Sequence, residues 1–437
     1  MLSLLRIAFV FVLSTFLLAQ SKPSRRNPGA TSLSAYKLLS IKITGTKLYT
    51  PEEVIAATGL QIGAQVTEQN FKQASQRLSE TGAFTEITYS YSYSSDGTKL
   101  EIQLADNDQL IPVYFDNFVW FSDQELMESL RRHAPLFKNR LPLGGSLADE
   151  IADALNTMLS QRGVSGHAHY LRVSDSPDGP IQSFLYSVED TDISIRNLDF
   201  PGANPSQLPI LHDIAKKKIE EGEYLRSKLA AIAKVALSPV YLKQGFLKVA
   251  FGNAQADVVS VSPKETIVDV KLPVAEGRQY RVAKIVLSGN TILPADKLRP
   301  LIHLELDQPP DAVQLENDFR AIQRLYGSRG YLKVMVKSQP ALNDNDGTVA
   351  YTLEVKEGDL YRLAEVDIEG LDEKTAARLR EDWKLREGEP YDSTYPQRFF
   401  QDAAADLPAG VRWKMKADES LNEKDKTVDI TLGFSPE

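Results

Sequence analysis

A glycine that ends a helical pattern and precedes a strand-like stretch returns five times along this chain, and its spacing constrains the fold more than any other feature. It stands at Gly82, Gly163, Gly245, Gly330 and Gly410, at intervals of 81, 82, 85 and 80 residues. A second landmark keeps the same period. Glu276-Gly-Arg-Gln-Tyr280-Arg-Val-Ala-Lys-Ile-Val-Leu-Ser-Gly289 is closely copied, 81 residues on, by Glu357-Gly-Asp-Leu-Tyr361-Arg-Leu-Ala-Glu-Val-Asp-Ile-Glu-Gly370. Lys37-Leu-Leu-Ser-Ile41-Lys-Ile43-Thr-Gly45 is an earlier relative. A fixed period of this length signals a repeat architecture. Five such units nearly fill the 437 residues.

Each unit reads in the same order. An alternating strand opens it, with Ile41 and Ile43 or Ile285 and Leu287 on one face. A short helix follows; Thr50-Pro51-Glu52-Glu53 supplies a cap, a first-turn proline and the acid of a capping box. Ser122-Asp-Gln-Glu125 repeats that logic. A longer helix comes next, with Leu315, Phe319, Ile322 and Tyr326, or Leu225, Leu229, Ile232 and Ala236, on its buried face. The glycine then provides a left-handed stop. Two strands close the unit around Asp96-Gly97, Asp178-Gly179 or Asp346-Gly347. The expected fold is α+β: five tandem β-α-α-β-β units, each a three-stranded sheet covered by two helices, in a linear array. A unit this small buries only about 60–65% of its unfolded surface, so neighbours are expected to support one another.

This order, the opening (apolar)-x-(apolar)-x-Gly strand and the helix-ending glycine resemble POTRA (polypeptide-transport-associated) domains, the modules in front of outer-membrane assembly barrels of the BamA and TamA type. The resemblance covers 37–437 and is weakest in the second unit, whose opening strand Val113-Tyr-Phe-Asp-Asn-Phe lacks the glycine. The resulting division is 37–107, 108–190, 191–277, 278–358 and 359–437. Ahead of these, Arg6 and the apolar run Ile7–Leu18, closed by Ala19-Gln20-Ser21, read as a signal peptide over 1–21. The run is shorter than the ~20 residues of a comfortable membrane span. Residues 22–36 read as a flexible leader. A barrel of even eight strands needs about 100 residues, whereas the last strand, Lys426–Phe434, stands three residues from the end of this sequence. The expectation is a periplasmic protein, exported through its N-terminal signal, that reaches the outer membrane through a partner.

Composition removes several chemistries. No cysteine is present, which excludes disulfides, thiolate metal sites, thiol nucleophiles and a lipidated N-terminal cysteine. Fifty basic against 59 acidic side chains give a net charge of −9, which argues against nucleic-acid binding. His167-Ala-His169 places two imidazoles on one strand face but lacks a third ligand. Asn343-Asp-Asn-Asp-Gly347 fails as a calcium loop, because Leu342 and Leu353 occupy ligand positions, and it reads as a hairpin turn. Gly144-Gly145-Ser146 lacks the partners of a phosphate loop, and no nucleophile elbow occurs. No catalytic residue, metal, cofactor or small-molecule substrate is expected, and the chain reads as a non-enzyme.

A three-stranded sheet leaves two edges with unpaired backbone groups, which template pairing with another extended chain unless covered or charged. The resemblance implies β-augmentation of unfolded outer-membrane proteins or partner subunits by the strand after the second helix. The candidate edge is Thr85–Tyr93, with Ile87, Tyr89, Tyr91 and Tyr93 on one face and Thr88, Ser90 and Ser92 on the other. Packing of those tyrosines under the unit's own helices accounts for the same alternation. Lys333 and Lys337 look like edge protection in the fourth unit. The function expected is a scaffold or chaperone for outer-membrane protein assembly or secretion that docks to a barrel protein or to client strands. The alternative is a periplasmic protein–protein interaction module in envelope organisation that handles no clients.

Overall fold

A computed structural model describes residues 36–219, 223–262, 264–404, 406–408 and 410–436. The expected signal (1–21) and, apart from Tyr36, the leader (22–36) lie outside the described residues. The chain opens with β1 (Leu38–Thr44), α1 (Pro51–Thr58), α2 (Glu68–Glu80), β2 (Phe84–Ser94) and β3 (Gly97–Asp106). Next come β4 (Leu110–Phe115), α3 (Asp123–His133), β5 (Arg140–Pro142), α4 (Leu147–Gln161), β6 (His167–Val173) and β7 (Ser183–Glu189). The third stretch holds β8 (Asp192–Asp199), α5 (Leu208–Ile219), α6 (Arg226–Ile232), α7 (Ser238–Leu242), β9 (Ala250–Phe251), β10 (Gln255–Val261), β11 (Glu265–Lys271) and β12 (Val274–Ala275). The fourth holds β13 (Arg281–Ser288), α8 (Ala295–Leu298), α9 (Ala312–Gly327), β14 (Met335–Asn343) and β15 (Thr348–Lys356). The last holds β16 (Arg362–Glu369), α10 (Glu373–Asp382), α11 (Tyr395–Ala403), β17 (Trp413–Asn422) and β18 (Thr427–Pro436).

Four three-stranded sheets share one topology: β1-β3-β2, β8-β11-β10, β13-β15-β14 and β16-β18-β17. In each, the last strand is central, parallel to the first and antiparallel to the second. The second stretch departs from that plan by adding the short β5, which pairs with β4. Contacts group the chain into two compact bodies. Among the described residues, one comprises 36–114, 123–155 and 171–184, and the other 115–122, 156–170 and 185–436.

Local signals in the sequence become the elements expected of them. Thr50 caps α1: its Oγ1 accepts from the Glu53 amide at 3.3 Å, and Glu53 Oε2 accepts from the Thr50 amide at 2.9 Å. On α9 the buried residues include Leu315, Phe319, Ile322 and Tyr326, which join Val349, Tyr351, Leu353 and Val355 of β15 in one core. Burying each such side chain contributes about 1.5–3 kcal/mol. All five helix-ending glycines have φ between 71° and 90°, a conformation that a Cβ disfavours. The expected face of the long helix in the third stretch is displaced. A π-helical turn at Ala233–Leu237 joins α6 to α7, so the fully buried side chains are Leu229, Ala233, Leu237 and Tyr241 rather than Leu225, Ile232 and Ala236.

The glycine that ends the first strand has a different task. A methyl group at Gly289 would lie 2.2 Å from the Val355 carbonyl oxygen, and Gly45, Gly202 and Gly370 abut Leu104, Val274 and Phe434 in the same way. Two residues beyond that carbonyl stands an acid, Asp106, Glu276 or Glu357. Asp106 accepts from the Thr46 hydroxyl (2.6 Å) and the Lys47 and Leu48 amides (2.7 and 3.1 Å). Glu357 accepts from the Ile292 amide (2.7 Å), the Tyr326 hydroxyl (2.6 Å) and the Thr291 hydroxyl. The carboxylate thereby holds the loop that follows the glycine. In the last stretch the equivalent position is Pro436, which cannot do so.

Burial pushes the Glu357 carboxyl up, but hydrogen bonds from Thr291, Tyr326 and Ile292 outweigh it and hold the group below its ordinary range. A depressed folded value adds stability that is present above the unfolded value of about 4.3 and is lost as pH falls through the folded value. The stability gap between wild type and Glu357→Gln, followed by thermal unfolding, should therefore be steady from neutral pH to about 5 and shrink below about 4. A gap unchanged to about pH 3 would contradict the clamp.

Candidate functional site

Each three-stranded sheet has two outer strands, and the structure treats them differently. The edge of every first strand is covered by its own inter-helix loop. The Gly63 amide donates to the Leu38 carbonyl (2.7 Å), and the Leu38 amide to Ala64 (2.9 Å). The Tyr224 amide donates to Ile193 on β8 (2.8 Å), the Asp307 amide to Val282 on β13 (2.8 Å) and the Gly388 amide to Leu363 on β16 (2.8 Å). The second strands β2, β10, β14 and β17 lie at the other edge. Among the described residues, no backbone hydrogen bond from beyond the sheet and its own hairpin turns reaches any of them.

The expected candidate strand is β2. Thr85 is the bulged residue, skipped between the Phe84 and Glu86 pairs, and its hydroxyl donates to the Ala105 carbonyl at 3.4 Å. Ile87, Tyr89 and Tyr91 are half-buried, whereas Thr88, Ser90 and Ser92 are exposed. The Tyr91 ring packs on Phe71 of α2 with centroids 5.0 Å apart. Tyr93 stacks edge-on against Tyr91 at 5.4 Å and Tyr36 at 5.5 Å, yet remains 40% exposed. Burial, helped by the Glu68 carboxylate, raises the Tyr91 hydroxyl above its ordinary value and keeps it neutral. The tyrosine face is therefore engaged by the sheet's own helix up to Tyr91. What remains open is the backbone edge and the Thr88/Ser90 face.

The other three open edges differ in their guards. β14 contains Lys337 and Pro340, and β17 contains Lys414, Lys416, Asp418 and Glu419. Such residues discourage pairing with a further strand. Lys333 precedes β14 and pairs instead with Glu423 in the β17–β18 turn. β10, Gln-Ala-Asp-Val-Val-Ser-Val, has neither lysine nor proline, and its one charge, Asp257, is paired with Lys271 on the central strand at 2.7 Å. Val258, Val259 and Val261 are 40%, 41% and 53% exposed. Sequence reading missed this strand; its signal was an apolar run without Lys or Pro placed after a helix-ending glycine.

The metal-like patterns resolve into ordinary contacts. His169 Nε2 lies 3.1 Å from Glu189 Oε1 and 3.3 Å from the Ser187 hydroxyl, while His167 is exposed. No group of three metal-ligating side chains occurs among the described residues. Asn343 Oδ1 accepts from the Asn345 and Asp346 amides (3.0 and 3.3 Å) and the Gly347 amide bonds the Asn343 carbonyl (3.0 Å), which makes a hairpin turn. No described helix is long and apolar enough to cross a membrane.

Comparison with known proteins bears on this architecture. Residues 280–358, the stretch from Tyr280 through β15, match the family model POTRA, described as a surface antigen variable number repeat. Residues 280–358 therefore carry a POTRA domain. The chain is 25% identical over 189 residues to the outer membrane protein assembly factor BamA of Neisseria meningitidis serogroup B, covering 40% of this chain and 24% of that protein. It is 20% identical over 213 residues to a putative outer membrane protein assembly factor of Treponema pallidum, covering 46% and 25%. The chain thus spans about a quarter of the length of these relatives. The crystal structure of Haemophilus influenzae BamA POTRA3-5 aligns with 56% of this chain and 95% of that one, at 18% identity and a TM-score of 0.43.

The two faces of β2 should respond differently to substitution. Tyr91→Ala, which strips a half-buried ring from Phe71, is expected to cost about 1–3 kcal/mol. Ser90→Lys on the open face should stay within about 0.5 kcal/mol of wild type. Denaturant unfolding reads both, and equal losses would contradict the assignment of faces.

Proposed function

We propose that this POTRA-domain chain is a non-catalytic periplasmic scaffold or chaperone for outer-membrane protein assembly or secretion. It carries five units with boundaries at 37–107, 108–190, 191–277, 278–358 and 359–437, and it binds client or partner strands by β-augmentation. The observation that carries this reading is the asymmetry of the edges: first strands are covered by loops, and second strands are not. Of the open edges, β14 and β17 carry lysine or proline guards, whereas β2, whose one charge is Glu86, and β10 carry neither. Main-chain hydrogen bonding gives affinity with little sequence preference, which suits a binder of many clients. On β2 the docking residues are Thr85, Ile87, Thr88, Tyr89, Ser90, Tyr91 and Tyr93, with the tyrosine face anchoring the strand to α2 and the backbone edge receiving the partner. The partners are an outer-membrane barrel protein or unfolded outer-membrane clients, and membrane association runs through them. The assembly-factor names of the relatives support this direction.

Proline at Tyr89 or Ser90 removes a backbone donor and disturbs the edge. Each variant should lose most cross-linking to a barrel protein or nascent barrel client in cell envelopes, while hydrogen exchange elsewhere in the chain stays at wild-type rates. Unchanged cross-linking would contradict docking on β2. Recovery of cell-wall factors with no barrel protein or client would favour an interaction module without client handling.

A further inference from the structure

At the end of β4 the chain runs Phe115-Asp-Asn-Phe-Val-Trp-Phe-Ser122. These eight residues group with the body that holds the third sheet, although the residues on both sides belong to the other body. Phe118, Val119, Trp120 and Phe121 are buried, and so are two polar side chains, Asp116 (3% exposed) and Asn117 (1%). Burying a carboxylate is costly unless its oxygens are satisfied. Asp116 Oδ1 accepts from the Ser227 amide at 2.8 Å, and Oδ2 accepts from the Ser227 hydroxyl at 2.5 Å.

Ser227 is the second residue of α6, and the residue at that helix's own cap position, Leu225, provides no side-chain cap. Asp116 thus does the work of an N-cap from 111 residues upstream. Its neighbours bind on either side. Asn117 Nδ2 donates to the Val188 carbonyl (3.0 Å) and its Oδ1 accepts from the Val188 amide (2.7 Å). The Trp120 indole donates to the Thr266 hydroxyl at 3.2 Å, and Thr266, 1% exposed, sits on the central strand β11. One short segment therefore reaches both the helix and the sheet of the third stretch.

The later joints are built differently. The Tyr280 amide donates to the Gly245 carbonyl and the Tyr361 amide to Gly330, at 2.9 and 2.8 Å. Exposed ion pairs, Lys248–Asp344 and Lys333–Glu423, accompany them. Among the described residues, no helix end in the fourth or fifth stretch is capped by a distant carboxylate: Asp311 caps α9 and Asp372 caps α10 from the adjoining position.

We propose that residues 116–120 are a conformational bolt: α6 and β11 reach their folded form only with this upstream segment seated, so segment, helix and strand open in one cooperative step. The third stretch is accordingly incomplete without chain from before the second helix pair.

Hydrogen exchange on the full chain tests this. Asp116→Ala should raise exchange in 226–232 about tenfold, the size of a lost N-cap. It should raise exchange in 265–267 and 116–121 as well, and leave α10, with its local Asp372 cap, unchanged. Trp120→Phe removes the indole donor and keeps an aromatic, though smaller, ring, which guards against wholesale misfolding. It should raise exchange in both 265–267 and 226–232. Wild-type exchange in 226–232 for either variant would overturn the bolt. So would faster exchange in 226–232 of Asp116→Ala with 265–267 unmoved, which marks a local cap without cooperativity.

Discussion

The central strand of each sheet is the element on which the rest depends. β3, β11, β15 and β18 each hold a parallel first strand on one side and an antiparallel second strand on the other. The first strand must bring its end against the central strand so closely that only glycine fits, as at Gly289 beside the Val355 carbonyl. Once that approach is made, a carboxylate two residues beyond the contacted carbonyl, Asp106 or Glu357, fastens the following loop in the first and fourth stretches. The inter-helix loop then folds over the first strand's outer edge. Among the described residues, the edge left to solvent is that of the second strand.

Edges left open in this way must be guarded or used. Pro340 and Lys337 make β14 a poor template, and four charged residues blunt β17. β2 and β10 have neither lysine nor proline and one acid each, Glu86 and Asp257, and β10 exposes three valines besides. This division follows from side-chain chemistry alone, because the four sheets share their topology. It supports the reading in which some repeats serve mainly as spacers and others as docking strands.

Much of this architecture was legible in the sequence because its signals are local. The Leu315–Tyr326 face, the Thr50–Glu53 capping box and the left-handed glycines need only a few neighbouring residues to specify them. The face of the third long helix was not legible. A π turn adds a residue to the turn, and Ala233, Leu237 and Tyr241 look no different in sequence from a regular helix with a different register. Nor were the cap from Asp116 to Ser227 and the Trp120–Thr266 bond, whose partners are 111 and 146 residues apart. For the candidate strand, alternation correctly separated the Ile87/Tyr89/Tyr91 face from the Thr88/Ser90 face. The reading in which the tyrosines pack under the unit's own helices matches the Tyr91–Phe71 contact, but alternation gave no reason to look at β10.

The measurement that bears most directly on the account is amide hydrogen exchange of the full chain with and without an unfolded outer-membrane barrel precursor. Edge docking predicts new protection confined to β2 or β10, with β14, β17 and the helices unchanged. Protection spread over helix surfaces, or on the guarded strands in preference to the unguarded ones, would contradict it.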